Sequence, residues 1–215
     1  MSVSLKSKGS ISTAVITGGH YFDVPGFHTM MRNLEGIDAY IQDMENFVAD
    51  VGKVRESYDV ILFYSMHKQT PNPKTAEILE QILSTGQGVF LLHHALLAYR
   101  DWEFWCQLVR IENRNDYDYF HDEEIRLNIT GTEHPVTQGL ESWTMIDETY
   151  TMPEPTDCEV LLTVDHHRSM AAMAWTHQFR SASVFCFPCG HDNQTYVDPN
   201  FQRVIAQGIK WCAGR

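Results

Sequence analysis

The sequence predicts an α/β protein with a doubly wound, mostly parallel sheet that continues into a mixed or antiparallel C-terminal extension. In the first half of the chain, short β-rich runs alternate with helical patterns, which indicates βαβ units. In the second half, short strand-like runs follow one another without long helices between them. With 215 residues, 43% of them hydrophobic, the chain is expected to form a single domain over residues 1–215, of which residues 1–10 are a flexible N-terminus.

The first predicted strands have helices or turns between them. Ile11–Thr17 is the first strand, and Pro25 opens a helix that stops before Gly36. Ile37–Gln42 alternates apolar and polar residues and is the second strand. Tyr58–Tyr64 is a continuous apolar run, as expected of a strand buried on both faces.

The next unit is predicted from a helical stripe and a second buried strand. Ile78 to Leu83 carry the apolar stripe, which Gly86 closes, and Gly88–Leu92 is the following strand. Another helix is expected after His93, with Trp105 on its apolar face. Asn113–Asp122 is polar and is predicted to be a loop.

The last third is predicted to contain five strands and a C-terminal helix. The helix begins after Asp198, an N-cap residue followed by proline. The strands are Glu124–Thr130, Trp143–Tyr150, Cys158–Val164, Met170–Trp175 and Ser183–Phe187.

Composition excludes several classes of partner. The formal net charge is −12, so nucleic acid and acidic membrane surfaces are not expected to bind. No apolar run approaches the roughly 20 residues that span a bilayer. Five scattered cysteines fit free thiols in a reducing compartment, and a cytoplasmic location is expected. The pair Cys186 and Cys189 has no second pair beside it and is interpreted as structural.

Polar residues cluster at the predicted strand ends, where open parallel sheets bind their ligands. His20 follows the first strand, His93 follows Gly88–Leu92, and His191 with Asp192 follows Ser183–Phe187. Asp147 to Tyr150 form the end of a later strand. These positions predict an imidazole-rich pocket.

Two of these segments are informative in detail. His93 lies directly between a buried strand and a helix, the geometry of a nucleophile elbow, where imidazole suits acid–base catalysis or metal binding. The alternative is a histidine that caps the helix or packs in the core. Asp147 to Tyr150 are consecutive strand positions, so Asp147 and Thr149 face one side of the strand and Glu148 and Tyr150 the other. Only one of these sides can face the cleft.

Several segments together resemble a known family. They are Gly86–His93, Asp101-Trp102, His134–Leu140, Asp147–Tyr150 and Gly190–Asp192. Through them the chain resembles the ThuA-like, or trehalose-utilisation, proteins, which have the class I glutamine amidotransferase-like fold. The resemblance implies a flavodoxin-like three-layer sandwich and a role in the catabolism of disaccharides and related sugars. His93 stands where true amidotransferases carry cysteine, so glutamine hydrolysis is not expected.

The leading hypothesis is therefore an acid–base enzyme, of isomerase or epimerase type, that acts on a sugar or keto-sugar. His93 and one of Asp147 or Glu148 are the expected catalytic residues. The expected substrate-binding residues are His20, Tyr150, Trp175, His191 and Asp192. Two alternatives stay open: a glycoside hydrolase, which needs two carboxyl groups, and a non-catalytic sugar-binding module.

Expectations for cofactors and partners follow from the same residues. A divalent metal held by some of the histidines and a carboxylate stays open. No nucleotide cofactor is expected, because the sequence has neither a Gly-x-Gly-x-x-Gly motif nor a P-loop. The expected partner is a small-molecule sugar, and a homodimer is favoured because such dimers are common.

Overall fold

The computed structural model of the chain describes residues 10–215, which form a nine-stranded sheet with helices on both faces. Of residues 1–10, predicted to be a flexible N-terminus, residues 1–9 lie outside the described residues, and Ser10, directly before the first strand, is buried. The strands are β1 (Ile11–Gly18), β2 (Ile37–Asp43), β3 (Val60–Ser65), β4 (Gly88–Leu92), β5 (Asp118–Ile129), β6 (Trp143–Thr151), β7 (Glu159–Thr163), β8 (Ala172–Phe179) and β9 (Ala182–Phe187). The helices are α1 (Val24–Arg32), α2 (Met44–Ala49), α3 (Pro73–Ile82), α4 (Glu103–Val109), α5 (Asn193–Tyr196) and α6 (Pro199–Cys212).

The sheet has a parallel part and an antiparallel part, as predicted. Its strand order is β2-β1-β3-β4-β9-β8-β7-β5-β6. The first five strands in this order are parallel, and the remaining neighbours pair antiparallel. The carboxyl ends of β1, β3, β4 and β9 therefore lie along one edge, where the crossover between neighbours leaves room for a ligand.

Two hydrophobic cores separate the sheet from its helices. Phe27 of α1 and Val204 of α6 belong to the core on one face. Leu79 of α3 and Trp105 of α4 belong to the core on the other face. The result is the predicted three-layer sandwich. None of the helices within residues 10–215 is long and apolar enough to cross a membrane.

Two predicted elements differ from the structure. The helix expected after His93 is two pieces, a one-turn 3₁₀ helix over His93–Leu97 and then α4. The prediction of a loop over Asn113–Asp122 is wrong for its second half, because β5 already begins at Asp118. That end of β5 is largely exposed and pairs with β6 through a register shift between Phe120 and Glu123. A polar strand of this kind forms because it hydrogen-bonds to the neighbouring strand. Its sequence lacks the alternation of apolar and polar residues from which a strand is predicted.

Arg114 braces the segment that follows the β4 elbow. Its guanidinium is fully buried and donates hydrogen bonds to the backbone oxygens of Leu96 (2.6 Å), Ala98 (2.7 Å) and Tyr99 (3.1 Å). Charged donors make the stronger hydrogen bonds in proteins, so these contacts hold the 3₁₀ helix and the turn after it in place. No role for Arg114 was apparent from the sequence.

His177 on β8 is a buried imidazole that is expected to make the fold less stable in acid. Its side chain is buried, and neither ring nitrogen has a hydrogen-bond partner among the described residues. Burial, with the nearby Arg110 cation, lowers its pKa to about 3. The unfolded chain therefore binds a proton at His177 near pH 6.5, whereas the folded chain does not.

We expect His177→Phe to reduce the loss of stability on acidification. Because the folded pKa is lowered, stability from the neutral imidazole is complete above about pH 6.5 and falls as the pH drops towards 3. Between pH 7 and pH 4 this loss is on the order of 3 kcal/mol for the wild type. Urea denaturation at both pH values measures it. Equal losses in wild type and variant would contradict the prediction.

Candidate active site

The β4 elbow presents His93 in a constrained conformation. Its φ is +52°, in the left-handed region, and its side chain is completely buried. Nδ1 lies 2.7 Å from the backbone oxygen of Pro188. A carbonyl oxygen only accepts, so Nδ1 carries the hydrogen and Nε2 keeps a free lone pair. Burial lowers the pKa of His93 well below its usual value, which keeps the ring neutral.

Glu148 on β6 faces this lone pair and two further histidines. Its Oε1 is 3.6 Å from Nε2 of His93. Its Oε2 is 2.9 Å from Nδ1 of His121 and 3.4 Å from Nδ1 of His191. The hydroxyl of Tyr150 is 3.1 Å from Nε2 of His93. One carboxylate, one phenol and three imidazoles therefore meet at the edge of the sheet.

Asp147 points away from this cluster and holds the backbone that carries His191. Its carboxylate accepts hydrogen bonds from the backbone N–H groups of Gly190 (2.7 Å) and His191 (3.0 Å). Gly190 has a φ of +121°, a conformation that suits glycine and lets the chain turn here. Burial raises the pKa of Asp147 to about 6, while the N–H donors oppose that rise. Its place in the structure is that of a positioning residue.

A cavity of about 290 Å³ opens in front of Glu148. His20 and His94 form one wall, with their ring centroids 4.7 Å apart. Burial also raises the pKa of Tyr150 well above its usual value, so its hydroxyl stays protonated and able to donate. The cavity is lined by His20, Met66, Lys68, His94, Leu97, Tyr117, Tyr119, His121, Glu148, Tyr150 and His191.

The structure brings four of the predicted site residues to this cavity and places His93 behind them. His20, Glu148, Tyr150 and His191 all line it. The side of β6 that faces the cleft is therefore the one with Glu148 and Tyr150. The expectation that Asp147 transfers a proton to substrate is corrected, because its oxygens face backbone N–H groups and it does not line the cavity.

Two predicted substrate-binding residues lie elsewhere. The prediction for Trp175 is wrong, because its side chain is completely buried in the core and its indole N–H donates to the backbone oxygen of Val109 at 3.0 Å. Asp192 does not line the cavity either. Its carboxylate caps the N-terminus of α5 by accepting from the N–H of Gln194 at 2.9 Å.

Seven lining residues were missed from the sequence or left without a role in the site: Met66, Lys68, His94, Leu97, Tyr117, Tyr119 and His121. Lys68 follows the carboxyl end of β3 by three positions, so the rule that ligands bind at strand ends could have found it. His121 reaches Glu148 only because β5 is a strand here, which the polar sequence concealed.

A larger cleft of about 740 Å³ adjoins this cavity and shares Met66 and Lys68 with it. Its other lining residues come mainly from α2 and from the segment between β3 and α3. None of His93, Glu148 and His191 lines this cleft, whereas Glu148 and His191 line the smaller cavity. The smaller cavity is therefore the candidate active site.

Comparison with solved structures supports the fold. The chain is similar to a ThuA-like protein from Parabacteroides merdae, with 20% identity, a TM-score of 0.78 and coverage of 95% of this chain and 90% of that chain. For a ThuA-like protein from Bacteroides uniformis the values are 16%, 0.73, 98% and 94%. PurLQS from Thermotoga maritima has 9% identity and a TM-score of 0.59, covering 94% of this chain and 99% of that chain.

The fold and its elbow define a protein of the class I glutamine amidotransferase-like fold. The family model of ThuA, described as trehalose utilisation, matches residues 25–212. The chain therefore belongs to the ThuA family, as the sequence resemblance predicted. No curated protein is similar enough to match it in sequence.

Proposed function

We propose that this protein is an enzyme that moves a proton on a sugar or keto-sugar, in an isomerase- or epimerase-type reaction. The observation that carries the proposal is the carboxylate of Glu148, which faces a cavity and is surrounded by His93, His121, His191 and Tyr150. The family description, trehalose utilisation, supports a carbohydrate as substrate.

The proposed step begins when Glu148 takes the proton from the carbon beside the substrate carbonyl. The electrons of that C–H bond form a carbon–carbon double bond, and the carbonyl oxygen becomes negatively charged. Tyr150 and Lys68 line the cavity as donors that can stabilise this charge. If the hydroxyl proton on that carbon moves to the former carbonyl oxygen, return of the carbon-bound proton to the former carbonyl carbon gives the isomer. Protonation of the original carbon from its opposite face gives the epimer.

The lining of the cavity favours this reaction over its alternatives. Among the described residues, Glu148 is the one carboxylate that lines the cavity, whereas most glycosidases use two. A volume of about 290 Å³ is at the small end for ligand sites and fits one sugar ring better than two. Glutamine hydrolysis through a cysteine is not proposed, since the elbow carries His93.

Proton NMR in D₂O tests the proposal directly. A panel of keto-sugars and their parent disaccharides is incubated with the protein, and the signal of the C–H group beside the carbonyl is followed. We expect this signal to disappear for at least one keto-sugar. A sugar that raises the melting temperature without any exchange or new product would instead support a binding module.

A further inference from the structure

Three potential ligand atoms converge at the inner end of the cavity. His93, Glu148 and His191 each offer one atom, and these atoms lie within 4.8 Å of one another. They come from three separate elements: the β4 elbow, β6 and the turn after β9. Sites assembled from separate elements are held by the whole fold, so their geometry is largely set before a ligand arrives.

The separations suit a shared cation better than direct hydrogen bonds. Nε2 of His93 lies 3.6 Å from Oε1 of Glu148, and Nδ1 of His191 lies 3.4 Å from its other oxygen, Oε2. An N–H···O hydrogen bond is usually about 2.9 Å long. Around a tetrahedral cation with bonds of about 2.0 to 2.1 Å, neighbouring ligand atoms are about 3.3 Å apart.

The surroundings of His93 and His191 resemble the outer shell of metal ligands. Metal-binding histidines usually donate their second ring N–H to a carbonyl or carboxylate, and His93 does so to Pro188. The hydroxyl of Tyr150 lies over the ring, 3.1 Å from Nε2 and 3.3 Å from Nδ1, so the in-plane lone pair of Nε2 still faces Glu148. The backbone of His191 is held by Asp147, and His121 contacts the outer oxygen of Glu148.

We propose that His93, Glu148 and His191 bind one divalent transition-metal cation, with an open coordination position towards the cavity. Two imidazoles and one carboxylate suit Zn²⁺ and similar cations, whereas Mg²⁺ and Ca²⁺ prefer oxygen ligands. A catalytic metal keeps one position for water or substrate, and the cavity supplies that space.

This inference deepens the proposed function and rests on it only for the use of the metal. The cation would bind the carbonyl oxygen and stabilise the charge that develops as the proton leaves. Binding through one oxygen of Glu148 would leave the other for the proton. The site itself does not depend on which sugar is the substrate.

The test is direct metal binding to the full chain after treatment with a chelator. Zn²⁺ is titrated in a calorimeter, and Co²⁺ binding is followed by its visible absorption, which is strong in tetrahedral sites. We expect one cation per chain for wild type and binding weaker by more than about 100-fold in His191→Ala and Glu148→Gln. Mg²⁺ is not expected to compete.

A matched control and a second readout keep the test decisive. His28→Ala removes a histidine of α1 outside the cluster and should bind Zn²⁺ like wild type. Circular dichroism confirms that each variant is folded. Failure of wild type to bind, or equal affinity in His191→Ala, would overturn the metal site. If the protein catalyses carbon–proton exchange on a sugar but binds no metal, the proposed function stands and the metal site is wrong. If it binds the metal but catalyses no exchange, the metal site stands and the proposed function is wrong.

Discussion

Glu148→Gln is expected to lower the rate of carbon–proton exchange by about 10²- to 10⁴-fold, the contribution of a positioned general base. Glutamine keeps the size of the side chain and one oxygen, but its amide cannot take a proton from carbon. The carboxylate is the group that His93, His121 and His191 surround, so no neighbouring side chain duplicates its position. The exchange rate in D₂O, measured by NMR on the best substrate of the panel, gives the effect.

A second glutamate serves as the matched control for this prediction. Glu124 lies on β5, opposite Ile146 of β6, and is exposed. Glu124→Gln makes the same chemical change on the neighbouring strand and should leave the exchange rate unchanged. If Glu148→Gln exchanges the proton as fast as wild type while remaining folded, Glu148 is not the base.

The parallel part of the fold could be predicted because its pattern is local. Apolar runs such as Val60–Ser65 and Gly88–Leu92 are buried on both faces and stand out from the helical stripes between them. The early part of β5 could not be predicted in the same way. Its residues are mostly exposed, and it is a strand because β6 lies beside it, which is a tertiary contact.

The candidate site could be predicted in part, for a similar reason. The rule that ligands bind beyond strand ends found His20, His93 and His191 without any knowledge of their contacts. Alternation along β6 separated Glu148 from Asp147 but left open which of them faced the cavity. That choice depends on how the β5–β6 pair lies against the rest of the sheet.

Trp175 shows a limit of reasoning from residue type. An exposed tryptophan suits a sugar ring, and a strand was predicted over Met170–Trp175, where the structure has β8 over Ala172–Phe179. Burial, however, is decided by what covers the strand, and here the indole is enclosed by the core that contains Trp105 and Leu108. The polar N–H is satisfied by a backbone oxygen, so the whole side chain is accommodated in the interior.

Asp147→Asn is expected to weaken both the fold and the metal site without touching substrate. The amide nitrogen that replaces one carboxylate oxygen is a donor and would face a backbone N–H of Gly190 or His191. An unsatisfied buried N–H costs about 1 to 3 kcal/mol, which urea denaturation measures. A displaced His191 should also lower Zn²⁺ affinity by about 10- to 100-fold, as loss of an outer-shell partner does.

Asp198→Asn separates the positioning role of Asp147 from a general loss of stability. Asp198 also accepts a hydrogen bond from a backbone N–H, that of Phe201 at 2.7 Å, but it caps α6 away from the cavity. Asparagine is as good an N-cap as aspartate, so this variant should keep wild-type Zn²⁺ affinity and nearly all of its stability. If Asp147→Asn lowers stability but binds Zn²⁺ as tightly as Asp198→Asn does, Asp147 braces the fold without positioning His191 for metal. If only Asp147→Asn weakens Zn²⁺ binding, the buried Asp147 carboxylate positions His191 for the metal through its hydrogen bonds to the backbone N–H groups of Gly190 and His191.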